Sequence, residues 1–206
     1  MDKNNVALLS RPLLSRVEHN EQVRQLTIKQ RLQYILLSAL ALMVAFIALT
    51  LLALALATAI YSLYQGRLLS FGDSVVFALP IIGAFMVSTG FSGSPVPEAT
   101  IPGQTLRDAI QRAARGGLIY GLLVSLLTSI VWFAVINLEQ LYIHVVTIYS
   151  GYVSVGQIAV QTVIIMVVTA LALAAFRAFA CLNGYFILYR LRSQSHENAS
   201  DPATDL

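Results

Sequence analysis

Four long stretches of this 206-residue chain contain no ionisable Asp, Glu, Lys or Arg, and they constrain its fold more than any motif does. The charge-free runs cover 32–66, 74–97, 116–138 and 140–176. A bilayer hydrocarbon core of ~30 Å takes about 20 apolar helical residues, so each run is long enough for one crossing. Lipid offers no partner to a backbone N–H or C=O, and a helix satisfies both within the segment. Crossings are therefore expected at about 36–60, 75–91, 117–137 and 157–179. They make up a membrane domain over 34–191, between an N-terminal segment over 1–33 and a polar, disordered tail over 192–206. The expected fold is an all-α integral membrane protein, a four-transmembrane-helix bundle with N-terminus and C-terminus both cytoplasmic.

Composition agrees with that layout. Hydrophobic residues make up 57% of the chain and charged residues 11%, whereas a soluble domain carries about 25% charged residues. This excludes a water-soluble globular enzyme and an intrinsically disordered chain. The single Cys181 excludes an internal disulfide.

The first crossing is the most uniform: Leu36 to Ile60 has no Gly, Pro or charge, with Tyr34 before it and Tyr61 and Tyr64 after it at the positions of interfacial aromatics. It is too long for a signal-peptide core and reads as an uncleaved anchor. The second run is broken by Pro80, Gly83 and Gly90, with Asp73 or Ser74 expected to cap its start. A re-entrant hairpin competes with a crossing there, and the sidedness of charge decides for the crossing. With the N-terminus inside, 12 of the 13 Lys and Arg residues fall on the inner side and Arg67 alone falls outside, which is the positive-inside pattern.

Three polar pieces flank the crossings. A helical stretch from about Glu18 to Gln33 is expected to run into the first crossing, its cations drawn to the anionic inner leaflet. The loop 92–104 holds Pro95, Pro97 and Pro102 and cannot be helical throughout. Thr105 and Asp108 then resemble a capping box opening a short helix, with Gly116–Gly117 as a hinge before the third crossing.

In that crossing Gly117, Gly121, Ser125 and Ser129 recur every four residues, a helix-packing stripe of small side chains. Association of helices in lipid depends on such close backbone approach, with hydroxyls adding interhelical hydrogen bonds. Alanine stripes at Ala41–Ala45, Ala53–Ala57 and Ala170–Ala174–Ala178 offer matching surfaces. The stripe is expected to pack the bundle; facing a second subunit is the alternative.

Arg177 is the one charge embedded in an apolar stretch, beside Phe176 and Phe179. It is expected to snorkel to the inner headgroups, and with Arg107, Arg112 and Arg115 forms the candidate set for lipid-headgroup or partner contact. Gln157, Gln161 and Thr162 are expected to hydrogen-bond to neighbouring helices. His19, His144 and His196 have no ligand spacing to one another or to Cys181, so no metal and no cofactor is expected. No hydrolase, zinc-protease or phosphate-loop motif is present, and no catalytic residue is assigned. The expected role is a non-catalytic integral subunit scaffolding or anchoring a larger assembly in the bacterial inner (cytoplasmic) membrane, a secretion, transfer or energy-transducing machine. A small oligomeric channel or transporter is the alternative. The expected partners are the lipid bilayer and other membrane subunits or a second copy, and no nucleic acid.

Overall fold

The computed structural model describes residues 27–69, 71–90, 104–142 and 155–199. Among these it contains four helices and no strand: α1 (Ile28–Gln65), α2 (Phe71–Gly90), α3 (Leu106–Tyr142) and α4 (Val155–Ala199). Three helices are long and apolar enough to cross a membrane, over Ile28–Gln65, Leu106–Val135 and Gly156–Ile187, and Phe77–Ser88 is a shorter apolar stretch within α2. The chain is thus a helical, multi-pass membrane protein in its general character.

Both ends of α1 are written in local chemistry. Thr27 caps its start: the Gln30 amide donates to Thr27 Oγ1 at 3.4 Å while the Thr27 amide donates to Gln30 Oε1 at 3.1 Å, a reciprocal capping box. The helical stretch expected from Glu18 is therefore described only from Thr27, where α1 begins; residues 18–26 lie outside the described residues. At the other end Gly66 adopts φ +65°, the left-handed conformation that suits glycine. The Gly66 amide donates to Leu63 O and the Arg67 amide to Ser62 O, both at 3.3 Å, the two bonds of a Schellman stop.

α2 begins at Phe71, so Asp73 and Ser74 fall in its first turn rather than ahead of it, and it continues through Pro80 without reversing. Phe77, Ile81, Ala84, Phe85 and Ser88 form its buried face, at the spacing of one helical stripe. α3 departs from expectation more. The hinge at Gly116–Gly117 is not formed, because α3 is one continuous helix of 37 residues. Likewise α4 runs on to Ala199, past Arg192 where the disordered tail was expected to start. Polar residues continue a helix readily once it leaves lipid, since water satisfies their side chains while the backbone ladder persists. The loop expected over 92–104 lies outside the described residues except for Gln104.

Two compact units divide the chain. One comprises Phe46–Gly93 and Ala114–Phe176. Its interior holds an aromatic trio in which the Phe46 ring meets Phe85 at 5.6 Å and Phe176 at 6.4 Å, edge to face, with Phe85 and Phe176 at 6.3 Å. Tyr61 packs on Phe77 at 5.2 Å. Moving forward along α1 from Phe46 to Tyr61 moves backward along α2 from Phe85 to Phe77, so these helices are antiparallel. The other unit comprises Met1–Ala45, Ser94–Ala113 and Arg177–Leu206. Its described core is Leu106, Ala109 and Cys181, with Ile110, Ala113, Leu182 and Tyr185 packed against it.

Apolar surface is distributed unevenly. In the most hydrophobic stretch of α1 only 6% of residues are buried, against 28% in α3 and 39% in α4. Thr50, Ala53, Ala57 and Tyr61 make one narrow packed stripe in its second half, while Leu36, Leu40, Val44, Ile47 and Leu51 are exposed. Water would penalise that surface at roughly 25 cal/mol per Å²; lipid accepts it.

Candidate functional site

The small-residue stripe of α3 lies against the backbone of α4. A Cβ placed on Gly117 would stand 2.7 Å from Leu173 O and 2.8 Å from Ala174 Cα; one on Gly121 would stand 2.7 Å from Ala170 Cα. Non-bonded carbon atoms prefer about 3.5–4.0 Å, so neither position accepts a side chain without moving a helix. One turn forward on α3 is one turn back on α4, and the pair is antiparallel. These contacts also explain the missing hinge: the glycines admit α4 rather than bend α3. Two of the alanines singled out on α4, Ala170 and Ala174, are the residues opposed.

Ser125 and Ser129 continue the stripe and are fully buried. The Ser125 hydroxyl donates back to Gly121 O at 2.6 Å, within its own helix, and Ser129 Oγ has no hydrogen-bond partner among the described residues. The interhelical bond expected of the ladder comes instead from Thr128, whose hydroxyl reaches Pro80 O on α2 at 3.2 Å. That single proton is shared with Val124 O at 3.0 Å and Ser125 O at 3.2 Å. Thr128 lies off the four-residue spacing of the ladder, so that pattern does not mark it. Pro80 gave no signal for it either, since a proline leaves the carbonyl four residues earlier without its helical donor, not its own. The aromatic trio was also missed, as its three members lie far apart in sequence.

The cations occupy a different setting. α3 opens with the expected capping box: Thr105 Oγ1 donates to Asp108 Oδ2 at 2.7 Å, the Thr105 amide donates to the same oxygen at 3.1 Å, and the Asp108 amide returns a bond to Thr105 Oγ1 at 3.3 Å. Those two bonds from Thr105, helped by the charges of Arg107 and Arg112, hold the Asp108 carboxyl below the usual carboxylate range. Leu106 and Ala109 turn inward, whereas Arg107, Arg112 and Arg115 are exposed. On α4 Arg177 is half-buried and Gln161 is buried, with Thr162 and Gln157 half-buried. Among the described residues no three His, Cys, Asp or Glu side chains converge as a metal site; His19 and His144 lie outside them.

No family model, curated protein or solved structure matches the chain. Its chemistry therefore has to be read from these residues alone. The α3–α4 contact fixes two helices side by side, and the arginines supply positive charge beyond it.

Proposed function

We propose that the chain is a non-catalytic integral subunit that scaffolds or anchors a larger assembly in the bacterial inner membrane. In this reading it crosses the bilayer four times as a helical bundle, with α2 as the second crossing and both termini in the cytoplasm. The sidedness of the cations supports that topology, with 12 of 13 Lys and Arg residues on one side. The length of α2 supports it too: 20 residues rise ~30 Å, the thickness of the hydrocarbon core. The observation that carries the subunit role is α1. It packs through one narrow stripe and leaves the rest of a 38-residue apolar helix open to lipid and to other membrane helices.

A small oligomeric channel is the second reading, favoured by the buried hydroxyls of Ser125, Ser129 and Thr169. Backbone contact between α3 and α4 leaves no lumen along that seam, so a pore in this reading lies between copies. Extraction in mild detergent followed by native mass spectrometry separates the two. The subunit reading expects a complex containing other chains, above the 22.4 kDa of the protein itself. Recovery solely as a monomer would refute it, and a homo-oligomer free of other chains would favour the channel.

A further inference from the structure

Ile119, Leu123, Leu127 and Val131 follow one another along α3 at four-residue spacing, and each is more than half exposed. Each also lies two residues beyond a member of the buried ladder Gly117, Gly121, Ser125 and Ser129, about 200° round the helix at roughly 100° per residue. The ladder is packed, and the row behind it is open. Carried back towards the N-terminus, the same row reads Arg115, Gln111 and Arg107, all three exposed. Its polarity therefore switches once, between Arg115 and Ile119, within about one helical turn.

The helix supplies little negative charge of its own to this row. Asp108, the one acid among the described side chains of α3, accepts from the Thr105 hydroxyl and amide at the cap. The cations that act on it are Arg107 and Arg112; Arg115, the cation next to the apolar row, is not among them. A soluble anion would match only the cationic end of the row, and an apolar helix only the other end. A phospholipid matches both, since its phosphate accepts charge-assisted hydrogen bonds from a guanidinium while its acyl chains lie on apolar side chains. The lengths agree as well. Ile119 to Val131 rises ~18 Å, close to the ~15 Å that one leaflet contributes to a ~30 Å hydrocarbon core.

We infer that the exposed row of α3 holds an anionic phospholipid, its phosphate at Arg115 and one acyl chain along Ile119, Leu123, Leu127 and Val131. The inference rests on the four-crossing reading, which puts Arg115 at the anionic inner leaflet. It is tested on the full chain in detergent by native mass spectrometry with added phosphatidylglycerol, phosphatidylcholine or inorganic phosphate. Phosphatidylglycerol is expected to bind in preference to phosphatidylcholine, and inorganic phosphate not to displace it. R115Q should weaken phosphatidylglycerol binding roughly fivefold, the share of one cation close to an anionic surface, while R67Q leaves it unchanged. L123Q, which puts an amide in the path of the chain, should weaken it several-fold, whereas V167Q, at an exposed position of α4, should not.

Equal binding by R115Q and the parent chain, with helical content preserved, would overturn the inference. So would equal losses in R115Q and R67Q, which would mean a general effect of charge, or equal losses in L123Q and V167Q, which would mean a general effect of polarity. Displacement by inorganic phosphate would also overturn it by making the ligand a soluble one. Failure of the topology has a separate signature, labelling of position 104 from outside the cell, and does not alter the comparison of R115Q with R67Q.

Discussion

At Gly121 the room for one carbon atom decides whether α3 and α4 can touch. A Cβ there meets Ala170 Cα at 2.7 Å and Leu173 Cδ1 at 3.3 Å; a leucine tip can swing away, but backbone cannot. G121I is therefore expected to push the helices apart and to destabilise the fold by about 1–3 kcal/mol, the range of overpacked cores. Thermal unfolding in detergent reads this directly, with Leu123→Ile as the control because Leu123 is 63% exposed. Equal melting temperatures for the two variants would mean that the seam contributes nothing. The same residue shows why the site was only partly legible in the sequence. A ladder of Gly117, Gly121, Ser125 and Ser129 marks a face built for close approach, but not what lies opposite it. Ala170 and Ala174 were one of several alanine stripes, and only the three-dimensional register selects them.

At the scale of the element, hydropathy read the part of each helix that belongs in lipid and stopped where polarity began. α1 exceeds the expected 36–60 at both ends, and α3 takes in the amphipathic turn from Leu106 that was expected to be a separate helix. The reason is physical: membrane solvation demands apolar side chains, whereas helical hydrogen bonding tolerates exposed charges such as Arg107 and Asp108. Caps were legible because their partners are three residues apart, as Thr105 and Asp108 are. That cap carries a pH dependence of definite sign. The folded Asp108 carboxyl lies below its unfolded value, so the contribution of the cap is present above about pH 4 and is lost as pH falls through the lowered folded value. Amide exchange at Asp108 and Ala109, corrected for intrinsic rates, should lose protection on acidification. D108N, which does not titrate, should show a flat profile. Equal protection at pH 3 and pH 7 in the parent chain would contradict the assignment.

At the scale of the whole molecule, charge does the organising. The scarcity of ionisable residues is concentrated in the helices themselves, and the cations that remain fall on one side of the crossings in the proposed topology. α1 turns an apolar surface outward, and α3 and α4 pack through backbone. That division gives the membrane protein an apolar helix suited to lipid and a tightly joined helix pair. In the proposed topology four crossings bring both termini to the basic side, and single-cysteine labelling is the direct test of it. Cys181 is the sole native cysteine, so a C181S background carrying R67C, Q104C or S193C reports one position at a time. A membrane-impermeant maleimide added to intact cells is expected to label position 67 alone, with 104 and 193 reacting only after permeabilisation. Labelling of position 104 from outside would contradict the account.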